Sequence, residues 1–382
     1  MPTRRLTRFL TLAALALITI AIFYNPLTPR RHQIPASHAT WQAELGPIDN
    51  KATSYVASAT PAELCAPYHW EPHTPPKGTK RKIYDLFLIN DELNWLEIRL
   101  NTLAKQVDYF VVVESAKTFT GLPKPLHLKE NWDRFSAFHP QIIHHVLDND
   151  LNSSVAWDHE ALQRNAMFDQ VIPFLTGPQA IAKDDVLIIS DIDEIPRPLT
   201  AQLLRTCAFP RRLTLRSKFY YYSFQWLHRG PEWQHPQATF YTGETTISPH
   251  DLRSGRGGNP LTRMGESADL WNAGWHCSSC FSHISILLNK MASFSHKEFN
   301  TEKYRAKAGI LRRVRNGLDL FDRYWQTYDR VERNVDVPMY VMNNVTRFAY
   351  LLDRDPPNAN FEDVTELDLA VQELGKGGKI RR

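Results

Sequence analysis

The strongest constraint on the fold is a strand, helix and strand pattern that begins after Lys82. The segment IYDLFLIN is mostly apolar, DELNWLEIRLNTLAKQ places leucines at positions 93, 96, 100 and 103, and DYFVVVES is a second apolar run. Leucines at that spacing lie on one face of a helix. Two buried strands joined by a helix within about 35 residues form a βαβ unit, which requires parallel strands.

The same alternation continues towards the middle of the chain. QIIHHVLDN (141–149) predicts a third strand, HEALQRNAMFDQVIPFL (159–175) a helix, and DVLIIS (185–190) a fourth strand. Beyond Pro210, LTLRSKFYYYSFQWLH is rich in aromatic and β-branched residues, which favours antiparallel strands. The sequence therefore predicts an α/β fold with a Rossmann-like core, in a single globular domain from 81 to 355.

The amino-terminal segment has the features of a membrane signal. Arg4, Arg5 and Arg8 precede an uncharged, mostly apolar run of 16 residues from Phe9 to Tyr24. This run is either a cleavable signal peptide or a short signal anchor. No small-x-small cleavage site follows it, and thin early-secretory membranes accept short anchors. Because arginines stay on the cytoplasmic side, we expect residues 1–24 to be a tail and anchor and the remaining chain to be lumenal.

Two further segments are expected to flank the folded domain. Residues 25–80 contain nine of the 25 prolines and little periodicity, which predicts an extended stem. Residues 356–382 form a carboxyl-terminal tail that ends in GKGGKIRR and is predicted to be disordered at its end. The formal net charge of +4 is spread along the chain, so nucleic acid is not an expected partner.

The cysteines and glycosylation signals fit a secretory route. The four cysteines, an even number, are compatible with disulfides, although the sequence leaves their pairing open. Cys277 and Cys280 form a single C-x-x-C pair, whereas a structural zinc site usually takes two such pairs, so a structural role is favoured. Sequons begin at Asn152 and Asn344.

The stretch DDVLIISDIDEIPRP (184–198) places acids at the end of a buried strand. Asp191 falls at the carboxyl edge of the predicted sheet, where ligands gather, and Asp193 faces the same way if the chain stays extended. Two following prolines end the strand. Clustered carboxylates suit Mg²⁺ or Mn²⁺, with diphosphate oxygens completing the coordination. We predict a metal site at Asp191 and Asp193 with Glu194 shaping the same turn; a solvated acidic turn is the alternative.

Five segments in order resemble glycosyltransferase family 17, whose members include bisecting N-acetylglucosaminyltransferases. These segments are LINDELNWLEIRL (88–100), DYFVVVESAKTFTGLPKPL (108–126), DDVLIISDIDEIPRP (184–198), AGWHCSSCF (273–281) and VTRFAYLLD (345–353). Together they span nearly everything after the predicted stem. Residues 229–272 do not match this pattern, and acceptor contacts are expected there.

The resemblance implies a type II Golgi enzyme with a nucleotide-sugar transferase domain of the GT-A type. It also implies a UDP-GlcNAc donor, Mn²⁺, an N-glycan acceptor on glycoproteins, and inversion at the anomeric carbon. In GT-A enzymes a late histidine often completes the metal site, which makes His276 in GWHCSSC a candidate third ligand. The aromatic run from Phe219 to Trp226 is a candidate acceptor face, although alternation predicts that most of it is core.

Three residues are candidate donor contacts. Asn90 opens the first helix, where a capping role is the alternative, and Glu114 ends FVVVE at the same sheet edge, where it either contacts the donor or caps a loop. Arg164 has the forked guanidinium that suits a diphosphate, with a helix-surface ion pair as the alternative. The general base is left open among Glu244, Asp251, Glu266 and Asp269.

Two other functions remain open at this point. A strand followed by D-x-D is also typical of haloacid-dehalogenase-type phosphatases, but Ile195 stands where that family has Thr or Val. A membrane-tethered, non-catalytic glycan-binding module is the second alternative. Metal-dependent turnover of a donor distinguishes the transferase from both.

Overall fold

The central element is a large mixed sheet. The computed structural model describes residues 31–33, 59–147, 153, 155–293, 299–365 and 368. Its strands are β1 (Arg31–Gln33), β2 (Ile83–Ile89), β3 (Tyr109–Ser115), β4 (Ile142–Leu147), β5 (Val186–Asp191), β6 (Glu194–Pro196), β7 (Arg212–Tyr221), β8 (Ser223–His228), β9 (Gln237–Phe240), β10 (Ser267–Ser278) and β11 (Tyr328–Arg330).

The strand order places a parallel unit at one side of the sheet. The order is β1-β10-β7-β9-β5-β2-β3-β4, and β5, β2, β3 and β4 are mutually parallel. β9 runs antiparallel to both β5 and β7, and β8 pairs antiparallel with β7 and β11. The carboxyl ends of β5, β2 and β3 therefore meet at one edge of the sheet.

Helices cover both faces of the parallel unit. Phe87 of β2 packs into one apolar cluster, whereas its neighbours Leu86 and Leu88 pack into a second cluster on the other face. This explains why β2 is apolar throughout rather than alternating. The α-helices are Pro61–Cys65, Leu93–Leu103, His127–Glu130, Ala156–Ala166, Pro198–Thr206, Pro249–Arg253, Pro260–Glu266, Ile284–Ser293, Glu302–Arg305, Lys307–Arg315, Met339–Met342 and Ala349–Leu352.

The predicted α/β class is confirmed, together with the first βαβ unit and the third and fourth strands. The antiparallel pairing predicted beyond Pro210 holds for β7 with β8, but β7 also pairs in parallel with β10. The parallel pairing was not predictable, because β10 lies about 50 residues further along the chain. The segment 339–352 contains two short helices, Met339–Met342 and Ala349–Leu352.

Part of the predicted stem packs against the domain. Thr60 and Glu63 form a capping box at the start of the helix Pro61–Cys65. Tyr68 and Trp70 are buried, and Cys65 forms a disulfide with Cys207 across 142 residues of sequence. The structure therefore places the beginning of the folded unit before the predicted boundary at residue 80.

The other flanking predictions fall partly outside the described residues. Phe361 is buried, and the Asp363 carboxylate accepts hydrogen bonds from the backbone of Ile284 and Ser285, so the first part of the predicted tail is folded. The predicted anchor at 1–24 and the sequon at Asn152 lie outside the described residues. Within the described ranges, no helix is long and apolar enough to span a bilayer.

Candidate active site

A cavity of about 560 Å³ opens at the carboxyl ends of β2, β3 and β5. Its size is within the range of small-molecule sites, and its position is where open α/β sheets bind ligands. Of the candidate metal and donor residues predicted from the sequence, five line this cavity: Asn90, Arg164, Asp191, Asp193 and His276.

One arginine links the two ends of the acidic turn. Arg253, at the end of the helix Pro249–Arg253, donates from Nη2 to Asp191 Oδ2 at 2.6 Å and from Nη1 to Glu194 Oε2 at 2.7 Å. Glu194 is fully buried and also accepts from Trp233 Nε1 at 2.7 Å and from the Asp191 backbone N at 2.8 Å. Glu194 thus fixes the turn through these hydrogen bonds.

These contacts keep the acidic turn ionised. Burial opposes the charge of Asp191, but Arg253 and Arg164 outweigh it and lower the pKa of that carboxyl. The pKa of Glu194 is held well below its ordinary value because the attraction of Arg253 exceeds the penalty of burial.

Asp193 and His276 form a second, less tightly bound pair. Asp193 Oδ1 lies 3.6 Å from His276 Nδ1, and Asp193 Oδ2 lies 3.4 Å from Lys290 Nζ. The His276 ring packs against both Phe219 and Trp233, with ring centroids at 5.1 and 4.9 Å. Its Nδ1 is buried and has no hydrogen-bond partner within the described part of the chain.

The donor atoms of this pair fit a divalent cation. A carboxylate oxygen and an unpartnered imidazole nitrogen are suitable ligands for Mn²⁺, and Mg²⁺-type sites use one or two carboxylates with substrate phosphates. Asp191 is a weaker candidate because each of its oxygens is ion-paired with an arginine. Among the described residues, no group of three or more acidic, histidine or cysteine side chains is arranged as a complete metal site.

Arg164 is buried in the cavity wall rather than lying on a helix surface. Its Nη2 donates to both Glu160 and Asp191 at 3.0 Å. Its Nη1 is buried and has no hydrogen-bond partner in the described residues. An unsatisfied buried N–H is costly and rare, and an anionic ligand in the cavity would satisfy it.

The helix Leu93–Leu103 begins after Asn90. Its N-cap is Glu92, whose side chain makes no capping bond to the helix; instead Glu92 Oε2 accepts from the backbone N of Asn90 and Asp91 at 3.0 and 3.2 Å. Glu92 lines the cavity. Burial and the neighbouring Asp91 raise the pKa of Glu92 to about 7.

Glu114 lies at the predicted sheet edge but outside the cavity lining. It is fully buried and accepts from the backbone N of Leu128 and Lys129 at 2.8 and 3.2 Å. His144 Nε2 lies 3.0 Å from the same carboxylate. These contacts match the loop-capping alternative, and the donor role of Glu114 stays a prediction.

None of the four acids proposed as general base lines the cavity. Glu266 pairs with Arg211, and Asp269 pairs with Arg216. Trp275 packs in the core, where Arg197 lies over its ring. Within the aromatic run, Phe219 and Tyr221 line the cavity and the other aromatic residues are buried, as alternation predicted.

Sequence reasoning missed Arg253, Lys290 and Trp233. Arg253 lies in the stretch that did not match the family segments, and a lone arginine in SPHDLRSG carries no local signal. Lys290 is in an amphipathic helix, where a lysine is ordinarily a solvated surface residue. Only the tertiary structure brings these side chains to the acidic turn.

A cavity at the carboxyl edge of parallel strands, lined by acids and cationic side chains, is the arrangement of an enzyme that handles an anionic substrate. The profile of Glycosyltransferase family 17 matches residues 4–356. The chain therefore belongs to glycosyltransferase family 17. This membership favours the transferase over the phosphatase, as does the pairing of Asp191 with two arginines, which makes it a poor nucleophile.

Three curated relatives share the name beta-1,4-mannosyl-glycoprotein 4-beta-N-acetylglucosaminyltransferase. The proteins from Homo sapiens, Rattus norvegicus and Mus musculus are each 26% identical over 306 residues, covering 73% of this chain and 56% of the relative. The chain thus spans little more than half the length of these relatives.

The mannosyltransferase PcManGT from Pyrobaculum calidifontis, in complex with GDP-Man and Mn²⁺, aligns with a TM-score of 0.30 and 11% identity, over 86% of this chain and 81% of that protein.

Proposed function

We propose that this protein is an inverting, metal-dependent N-acetylglucosaminyltransferase that moves GlcNAc from UDP-GlcNAc to a mannose of an N-glycan in β-1,4 linkage. Family membership supports glycosyl transfer, and the names of the relatives supply the sugar, the acceptor class and the linkage. The observation that carries the proposal is a single cavity containing two unsatisfied buried groups, Arg164 Nη1 and His276 Nδ1, beside Asp193.

These groups match the needs of a nucleotide diphosphate. Asp193 and His276 would hold Mn²⁺ or Mg²⁺, with Asp191 adjacent. A bound divalent cation would supply positive charge against the departing diphosphate. Arg164 and Lys290 are the cationic side chains closest to the acidic turn that also line the cavity, and they would bind phosphate oxygens.

The transfer is a single displacement. The acceptor hydroxyl oxygen forms a bond to the anomeric carbon while the bond from that carbon to the β-phosphate oxygen breaks. The bonding electrons leave with UDP, and the hydroxyl proton passes to a carboxylate base. Four carboxylates line the cavity, and Glu92 is the one that has no cationic ion-pair partner in the described residues, so we assign it this role.

We place the enzyme in the Golgi membrane with a single amino-terminal anchor and a lumenal catalytic domain. The arginine-flanked apolar segment at 1–24 supports this topology. All four cysteines are paired, as Cys65–Cys207 and Cys277–Cys280, which is typical of proteins in oxidising compartments.

The test is a donor and acceptor panel with the full chain purified in detergent. We expect UDP release from UDP-GlcNAc with an N-glycan acceptor in Mn²⁺, and no release in EDTA. UDP release at the same rate in EDTA would refute the metal dependence. A folded protein that binds glycans but consumes no donor would instead support the non-catalytic module.

A further inference from the structure

The cavity lining contains an aromatic part besides the acidic turn. Phe299, Phe321, Trp325 and Gln326 belong to this part. Trp325 is 61% exposed, and its neighbour Tyr324 is 87% exposed. Tyrosine and tryptophan are enriched at binding interfaces, which makes this exposed pair beside the cavity a candidate binding surface.

The loop 318–326, which carries Phe321, Tyr324 and Trp325, is held in a defined conformation. Asp319 is buried, and its Oδ1 accepts from the backbone N of Phe321 and Arg323, both at 2.9 Å. Its Oδ2 accepts from Arg323 Nη2 at 2.6 Å. The buried carboxylate of Asp319 therefore anchors the loop. Burying this charge costs desolvation energy, which the hydrogen bonds from Phe321 and Arg323 offset.

The anchoring continues on both sides of Asp319. Tyr222 Oη donates to Leu318 O at 2.9 Å, and Phe321 stacks on Phe299 with ring centroids 4.3 Å apart. Asp322 adopts a left-handed φ of 57° and is paired with Lys303 at 2.8 Å. A residue other than glycine in this conformation is strained, and such strain is retained where the surroundings impose it.

The loop thus presents Tyr324 and Trp325 to the outside on an ordered frame. The two rings meet edge to face at 88°, with centroids 4.9 Å apart. Burying them in the core would have been favourable, yet they remain exposed at the rim. Sugar rings have one apolar C–H face and equatorial hydroxyls, so a flat indole with a nearby amide such as Gln326 is complementary to them.

We propose that Trp325, with Tyr324 beside it, forms the binding subsite for a sugar residue of the acceptor glycan. This inference rests on the proposed function. Trp325 lines the same cavity as Asp193 but lies on the aromatic wall, whereas the charged groups that suit the diphosphate are gathered at the acidic turn. Because Trp325 is exposed whereas Asp193 and Arg164 are buried, the acceptor would approach from Trp325 and the donor phosphates would bind at the buried groups.

The experiment separates acceptor binding from donor chemistry. With the full chain in detergent, a biantennary N-glycan is varied at saturating UDP-GlcNAc and Mn²⁺. We expect Trp325→Ala to raise the acceptor KM by about tenfold or more, while the rate of UDP-GlcNAc hydrolysis without acceptor stays within twofold. Trp325→Phe keeps a flat ring and should retain most of the affinity.

A matched control is Phe174→Ala. Phe174 is 71% exposed and does not line the cavity, so its removal should leave the acceptor KM unchanged. Thermal melting of each variant shows whether the loop change disturbs the fold. An acceptor KM for Trp325→Ala within twofold of wild type would refute the proposed acceptor subsite but not the proposed transferase function.

A binding measurement keeps the inference testable if no turnover is found. Saturation-transfer NMR with the same N-glycan reports binding without catalysis. Glycan signals that are present for wild type and lost for Trp325→Ala would support the subsite even if the proposed transferase activity fails. Absence of glycan binding to wild type, or unchanged signals for Trp325→Ala, would refute it.

Discussion

Arg253 Nη2 donates a 2.6 Å hydrogen bond to Oδ2 of Asp191, a residue 62 positions earlier in the chain. The same guanidinium forms two hydrogen bonds with the buried Glu194. The acidic turn is therefore held from outside by a cation, and its shape depends on a helix that follows β9.

Replacing Arg253 should destabilise the protein. Arg253→Ala leaves the fully buried Glu194 without its cation, and we expect a loss of about 3 kcal/mol in the free energy of unfolding. Arg253→Lys keeps the charge but not the fork, so its loss should be smaller. Urea unfolding curves measure both. Equal midpoints for wild type and Arg253→Ala would show that Glu194 does not depend on this arginine.

Asp193→Asn should abolish turnover without unfolding the protein. Among the described residues, the Asp193 carboxylate lies near two polar side chains, Lys290 at 3.4 Å and His276 at 3.6 Å, and neither contact is short, so little stability depends on the carboxylate. We expect kcat to fall by at least about 100-fold. UDP release and thermal melting are measured together. Asp329→Asn, at an exposed ion pair with Arg229, is the control and should keep wild-type turnover.

Glu92 gives the protein a pH-dependent stability near neutrality. Its pKa is raised to about 7 in the folded protein, whereas an unfolded glutamate titrates near 4.3. The folded state thus binds more protons between these values, so stability falls as pH rises from about 4.3 to 7. Because Glu92 partly faces the open cavity, we expect a loss of about 1 kcal/mol.

The comparison that isolates this effect is wild type against Glu92→Gln. Glutamine keeps an oxygen that accepts from the backbone N of Asn90 and Asp91 but does not titrate. Urea unfolding at pH 5 and pH 8, in EDTA, should show the wild type losing more stability than the variant. Parallel pH dependence in the two proteins would contradict the raised pKa.

The two disulfides should contribute unequally to stability. Cys65 and Cys207 close a segment of 142 residues, whereas Cys277 and Cys280 are separated by only three. Restricting the longer loop removes more entropy from the unfolded chain, so the double Cys65→Ser, Cys207→Ser variant should lose about 3 to 5 kcal/mol. Thermal unfolding of both double serine variants measures the difference. An equal loss for the short pair would point to the local packing of its buried sulfur atoms rather than to chain entropy.

Local patterns were sufficient for the elements around the site. Three elements were predicted at nearly their observed bounds. They are the strand at 83–89, the helix Leu93–Leu103 with its leucine spacing, and the strand that ends at Asp191. This succeeded because buried parallel strands are apolar on both faces and an amphipathic helix has a fixed period. The same reasoning placed Asp191 and Asp193 at the carboxyl edge of the sheet.

The sequence by itself thus determined the α/β class, the parallel unit and the acidic turn, because these follow from side-chain periodicity over short stretches. Only the tertiary structure decided which cations surround that turn and which aromatic residues form the rim. Arg253, Lys290 and Trp325 reach the cavity from separate segments through sheet and helix packing. Such contacts depend on the packing of the whole chain, and no local pattern of residues encodes them.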